Sequence, residues 1–234
     1  MENEGVVPLN NKIFDPNMVN HTIDIYYFPM SPPSRAVLMT MRALGIKHNI
    51  KITHPMSGDT MKPEFLKMNP LHTIPVIDDN GFILYDSGAI MKYLVDRYGK
   101  DDSLYPKDAK KGARVTQRLF YVTGYLFPRF FATHAVIMLG GSVPDADKEK
   151  LRESFSYLDK ILEDSKWIAG DNMTIADFAI VSLLANIDSA GLYDLSTYAN
   201  LWQYFQRSKS GMESFGYEEI MQSGADQFGS VFKH

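Results

Sequence analysis

The stretch TIDIYYFPMSPPSRAVLMTMRALGIKHNIKIT, residues 22–53, decides the fold. Ile23, Ile25 and Tyr27 alternate with polar or outward positions, the period of a half-buried strand. Pro29, Pro32 and Pro33 end that strand, because proline supplies no N–H and holds the residue before it extended. Ser34 then reads as the cap of a helix. Val37, Leu38, Met41 and Leu44 share one face of that helix, and Gly45 suits its C-terminal end. Ile46, Ile50 and Ile52 point to a second strand. Strand, helix, strand favours a parallel pair joined by a crossover helix.

Working outward, Pro63 opens a short helix to Met68. Ile74–Ile77 and Phe82–Tyr85 flank Asp78-Asp79-Asn80-Gly81, and Asn-Gly between apolar runs is the strongest short hairpin signal. Ala89, Ile90, Tyr93, Leu94 and Tyr98 form a helical stripe closed by Gly99. The order βαβ then ββα over residues 22–99 predicts an α/β, thioredoxin-like domain. Residues 100–108 are polar, include Pro106 and read as a linker. Residues 109–234 read as an all-α domain. A long helix is expected from Ala109 towards Leu139, bent at Pro128 and ended by Gly140-Gly141. A second carries Leu151, Phe155, Leu158 and Leu162. A third starts near Thr174, where Thr174-Ile175-Ala176-Asp177 has the form of a capping box. A fourth covers about Asn200–Lys209. Residues 1–21, rich in Asn and Pro, read as a loose N-terminal arm.

Composition narrows the chemistry. Of 234 residues, 45% are apolar and 22% charged, as in a globular protein able to bury a sizeable core. A net charge of -4 offers nothing to a phosphate backbone, so nucleic acid is not an expected partner. There is no cysteine, so any sulfur chemistry must come from a ligand. The six histidines are scattered without metal-ligand spacing, and no metal is expected. The start lacks a basic region followed by an apolar one, and the densest apolar stretch, Ala179–Ile187, is too short to span a bilayer. A cytoplasmic location and no membrane association are the expectation.

Five motifs in register resemble one family. Tyr26-Tyr27-Phe28-Pro29-Met30-Ser31-Pro32-Pro33-Ser34-Arg35 resembles the first strand and catalytic loop of delta- and epsilon-class glutathione S-transferases. Asn69-Pro70-Leu71-His72-Thr73-Ile74-Pro75 resembles their glutathione loop, and Tyr85-Asp86-Ser87-Gly88-Ala89-Ile90 their γ-glutamyl site. Asp102-Ser103-Leu104-Tyr105-Pro106 is similar to their domain linker. Ala169-Gly170-Asp171 through Thr174-Ile175-Ala176-Asp177 is similar to their helix-capping segment. The resemblance covers about residues 22–210. It implies the glutathione S-transferase fold, glutathione as co-substrate, a small hydrophobic electrophile and a homodimer. Detoxification by conjugation is the implied role, with peroxidase or dehalogenating activity drawing on the same thiolate. The alternative is a carrier of hydrophobic ligands on the same fold.

The residues support a concrete chemistry. A free thiol has a pKa near about 8.5, and only its thiolate attacks electrophiles. One hydroxyl donor holding the thiolate contributes roughly 1.5–3 kcal/mol, lowering that pKa by about one to two. Ser31, after a strand and near a helix N-terminus, is the candidate donor. Tyr26 and Tyr27 are rival hydroxyls whose place inside the strand favours packing. The resemblance implies a cis Pro75, with the Ile74 backbone, beside Thr73, pairing with the cysteinyl part of glutathione. Ser87, at a helix start, can hold the γ-glutamyl carboxylate, and Asp86 can accept from its ammonium; helix capping by both is the competing role. His72 is a candidate donor to the glycyl carboxylate.

For the second substrate, family position brings Phe127, Phe130 and Phe131 near a pocket beside Pro33. Phe228 and Phe232 either cover that pocket or dock the tail. The chain also departs from the pattern. Gly88 stands where the family commonly has Arg, Leu71 where it often has Gln, and Thr60 where delta enzymes use a His. These departures leave the exact class open, an unclassified relative included.

Overall fold

The computed structural model describes residues 22–233, so the expected N-terminal arm lies outside the described residues. β1 (Ile23–Tyr27) and β2 (His48–Ile52) pair in parallel across the crossover helix α1 (Pro32–Leu44). β3 (Val76–Asp79) and β4 (Phe82–Tyr85) form the hairpin, and β3 runs antiparallel to β1. The sheet order is β2-β1-β3-β4. Asn80 and Gly81 take φ of 53° and 87°, the pair of positive values that a two-residue type I′ turn requires.

Three local expectations shift, each for a hydrogen-bonding reason. Ser31, not Ser34, caps α1; Pro32 and Pro33 fill the first turn, where no N–H is needed, and Ser34 is buried inside the helix. β2 starts at His48 rather than Ile46, because Gly45 donates to Arg42 C=O and Ile46 to Met41 C=O, a Schellman closure of α1. β3 starts at Val76 rather than Ile74, since Pro75 has no N–H to donate.

β1 divides its side chains between two layers. Ile23, Ile25 and Tyr27 are buried with α1 and α3 (Ser87–Tyr98). Tyr26 faces the other way and meets Phe65 of α2 (Pro63–Met68) edge-on at 5.9 Å.

The helical half comprises α4 (Ala109–Tyr121), α5 (Phe127–Met138), α6 (Asp145–Ile161), α7 (Ile175–Ala190), α8 (Ala199–Gly211) and α9 (Ser223–Ser230). The long helix runs on through a π turn, Val122–Leu126, in which Phe127 N–H donates to Val122 C=O, immediately before Pro128. Pro128 lies within the first turn of α5. Its ring crowds the carbonyl four residues back, and the extra residue of a π turn relieves that clash.

α7 is almost wholly buried. Its capping box forms as expected, Thr174 N–H donating to the Asp177 carboxylate at 2.7 Å. That carboxylate also accepts from Ile168 N–H at 3.0 Å and Tyr204 O–H at 2.9 Å, while burial pushes its pKa up to about 6. α9 falls within the span read as all-α, though no helical stripe marks it individually. It lies against α7, and one apolar core runs from β1 and α1 through α7 to Phe228. No described helix is long and apolar enough to cross a membrane.

Candidate active site

A cleft of about 290 Å³ opens where the sheet half meets the helical half. Thr73, Ile74 and Pro75 form one lip, with the Ile74–Pro75 bond cis. Asp86 and Ser87, at the start of α3, form the next. Pro33 and Ala36 of α1, Val122 and Thr123 of the π turn, Phe127 of α5, and Ala179, Ser182 and Leu183 of α7 complete the wall. One side is therefore polar and rich in loop backbone, and the other is apolar. A larger hollow of about 920 Å³ lies outside the helical half, lined by Phe120, Tyr121, Tyr125 and Tyr157 among others. It contains none of the loops quoted above, so the smaller cleft is the candidate site.

The first turns of α1 and α3 both point their N-termini towards this region, and the partial positive charge there favours an anion. Ser31 is the N-cap of α1, two residues before Pro33, and is half-buried. Its Oγ accepts from Ser34 N–H at 3.4 Å, a long bond that leaves the hydroxyl proton free to donate. Ser31 itself is not among the residues lining the cleft.

Asp86 takes φ 70°, a conformation that costs a residue with a side chain roughly 1–3 kcal/mol and persists where the surroundings enforce it. Its Oδ1 accepts from Gly88 N–H at 3.0 Å and Ala89 N–H at 3.2 Å, which caps α3. Capping uses one carboxylate oxygen. The other takes no partner among the described residues and remains available to an ammonium group. His72, also at positive φ (48°), is exposed and donates its backbone N–H to Asn69 C=O at 3.0 Å. Its ring is not part of the cleft wall.

The rival phenols do not reach the cleft wall. Tyr27 is buried in the core, and burial pushes its pKa up to about 12. Burial, followed by the nearby Asp24 and Asp78 charges, also raises Tyr26. Both resist becoming phenolates.

The aromatic group divides. Phe127 lines the cleft. Phe130 does not; it is buried against His134 and Phe228, at ring separations of 4.4 Å and 5.5 Å. Phe131 stacks on Phe127 at 6.2 Å, but is exposed and also absent from the wall. Phe228 and Phe232 pack on His134, which docks the tail into the core rather than over the cleft. Thr60, at the position of the missing His, is buried in a short turn.

Sequence reasoning missed Ala36, Val122, Thr123, Ala179, Ser182 and Leu183. A signal existed for α7, because positions 179, 182 and 183 share one helical face. None existed for Val122 and Thr123, which the π turn rotates off the regular helical spacing.

Comparison with known proteins gives the same answer for both halves. Residues 25–102 match the family model for the glutathione S-transferase N-terminal domain, and residues 127–210 match that for the C-terminal domain. The chain is 37% identical over 213 residues to glutathione S-transferase D7 of Anopheles gambiae, spanning 89% of this chain and 96% of that one. The solved structure of a Bombyx mori glutathione transferase, BmGSTD1, superposes with a TM-score of 0.87 at 43% identity, over 91% of this chain and 98% of that one. A glutathione transferase homologue from Drosophila mojavensis, solved with bound glutathione, superposes with a TM-score of 0.84 at 34% identity, over 91% and 97% of the two chains. The sheet and its cis-proline loop, the helical half, and these likenesses across most of the length agree: this chain belongs to the glutathione S-transferase family.

Proposed function

We propose that the protein binds glutathione across the lips formed by Thr73–Pro75 and Asp86–Ser87, ionises its thiol beside Ser31, and conjugates it to a small hydrophobic electrophile held against Pro33 and Phe127. The observation that carries this reading is the two-sided cleft, polar at the loops and apolar at α5 and α7. The bound glutathione of the Drosophila mojavensis homologue supports the same ligand here. Ser87 serves the γ-glutamyl carboxylate, the free oxygen of Asp86 serves the ammonium, and the exposed His72 serves the glycyl carboxylate. Residues 22–99 act as the glutathione-binding domain, 100–108 as the linker and 109–234 as the electrophile-binding domain. A homodimer in the cytoplasm belongs to the same reading.

Conjugation of glutathione to a generic aryl halide tests it, in the parent and in Ser31→Ala. Turnover is expected to fall by about tenfold or more, with the glutathione KM changed less than about threefold, because the lost bond matters most to the thiolate. Unchanged turnover would remove Ser31 from its role. A parent that binds hydrophobic ligands without any turnover would be a carrier.

A further inference from the structure

The loop carrying Ser31 is held from below by a single amide. Asn186, on α7 and fully buried, donates from Nδ2 to Met30 C=O at 3.1 Å. Its Oδ1 accepts from Arg35 Nη2. The orientation of the amide is fixed by its partners: reversed, it would set an NH2 against a guanidinium and an oxygen against a carbonyl. Arg35 is itself completely buried, and its Nη2 also donates to Ser182 C=O at 2.8 Å, while Nη1 donates to Met221 C=O. Tyr27, Tyr217 and Asp226 are the titratable groups that face it. No described carboxylate touches it.

The same knot receives the C-terminal helix. A Cβ placed on Gly224 of α9 would lie 2.3 Å from the Pro29 carbonyl oxygen and 2.7 Å from Arg35 Cδ. The backbone of α9 therefore rests directly on the residue before Met30. Between them, α9 and Asn186 fix the carbonyls of residues 29 and 30, immediately before the Ser31 hydroxyl. Asn186 is fully buried beneath the loop and does not line the cleft.

We infer that Asn186 is a positioning residue: by holding Met30 C=O it aims the Ser31 hydroxyl at the thiol, and it links that aim to Arg35 and α9. The inference rests on the role proposed for Ser31. Small displacements of a reacting group are expensive, so a lost tether should weaken thiolate stabilisation without weakening glutathione binding in proportion.

The test is the pH profile of kcat/KM for conjugation, together with the ultraviolet titration of the bound thiol, in Asn186→Leu, Asn186→Asp and Ser31→Ala. Leu keeps much of the volume and removes both hydrogen bonds. Asp restores an acceptor for Arg35 but sets an oxygen against Met30 C=O. Both should raise the bound-thiol pKa by about one, read as about a tenfold lower kcat/KM on the acidic limb, with the glutathione KM within about threefold. A shift with Asp and none with Leu would assign the effect to charge and overturn the positioning role. Unmoved profiles in both, beside a moved profile in Ser31→Ala, would overturn it while leaving Ser31 in place. An unmoved profile in Ser31→Ala would remove the basis of the inference altogether. Should the Leu variant not fold, Asn186→Ser, too short to reach Met30 C=O, is read in the same way.

Discussion

At the scale of single residues, the site assigns distinct tasks to groups that lie close together. Asp86 shows this best, because one oxygen caps α3 and the other is open. Asp86→Asn keeps an acceptor for the cap and tolerates the positive φ, yet loses the charge that an ammonium needs. Its glutathione KM should rise about fivefold or more while the melting temperature moves little. A melting temperature that falls with an unchanged KM would make Asp86 a cap and nothing else. Gly88 offers the complementary gain. A Cβ there would lie 3.3 Å from Asp86 Oδ1, a tight contact that a shift of a few tenths of an ångström in that side chain relieves, and Gly88→Arg would add a positive charge at the site proposed for the glutathione carboxylates. Calorimetric titration should show glutathione binding about two- to fivefold tighter, the size of an exposed ion pair, and equal affinity would exclude a carboxylate at that distance. The motifs that made these residues legible are short and local: a cap, a proline loop, an Asn-Gly turn. Phe130 and Phe131, which lie off the cleft wall, were less legible for the opposite reason. Helical spacing says that aromatic residues share a face, but not which of them meets the core and which meets the cleft.

At the scale of elements, what the sequence concealed is tertiary. The π turn at Val122–Leu126 has no pattern of its own beyond Pro128 downstream, yet it aims Val122, Thr123 and Phe127 at the cleft. α9 contains Gly224 and Gly229, poor helix formers that local propensity reads as loop. Their reason is contact: a Cβ on Gly229 would lie 2.3 Å from Ser189 C=O of α7, so only glycine lets the two helices meet this closely. The tail that follows closes over His134. His134 Nδ1 lies 2.9 Å from Thr133 Oγ1, which can donate or accept, and 3.1 Å from Phe130 C=O, which can only accept, a pair of partners that suits a proton on Nδ1. Nε2 is buried without a partner among the described residues, inside a box of Phe130, Tyr193, Phe228 and Phe232. Burial lowers the pKa to about 4, against an ordinary value near about 6.5 in the unfolded chain. Between those values the unfolded chain binds the proton and the folded one does not. His134 therefore supports stability above about pH 6.5, and that support is lost as the pH falls towards 4. Asp177 runs the other way: its pKa, raised to about 6, makes the folded form gain relative stability as the pH falls below that value. Denaturant unfolding of His134→Phe should show an acid loss between pH 6.5 and 4.5 smaller than the parent's, by on the order of 2 kcal/mol. Parallel pH curves for the two proteins would mean that the ring is already protonated in its box.

At the scale of the whole molecule, the two halves are legible separately and their union is not. The strand and helix order of residues 22–99 and the helical stripes after residue 108 can each be read along the chain, but nothing local says that α1 packs on α7, or that Arg35 ends among carbonyls more than a hundred residues away. That union consumes the inner faces of both halves and leaves one conspicuous outer surface. Phe120 and Tyr125 are 70% and 57% exposed, and with Tyr121 and Tyr157 they line the hollow of about 920 Å³ on the outside of α4, the π turn and α6. Exposed aromatic rings gathered at one hollow, rather than scattered singly, suit a contact surface. Its charged members are largely spoken for, since Arg129 lies 3.5 Å from Glu153 and 5.7 Å from the Tyr125 ring centre. A second copy of this chain is the expected cover, consistent with the dimers typical of the family. Light scattering after size exclusion should then report twice 26.5 kDa for the parent. Phe120→Glu with Tyr125→Glu sets charges into the buried centre of that contact, where an unpaired charge is costly, and should yield a folded species of half that mass. A parent that is monomeric at micromolar concentration, or a dimer indifferent to both glutamates, would show that the aromatic face has some other use.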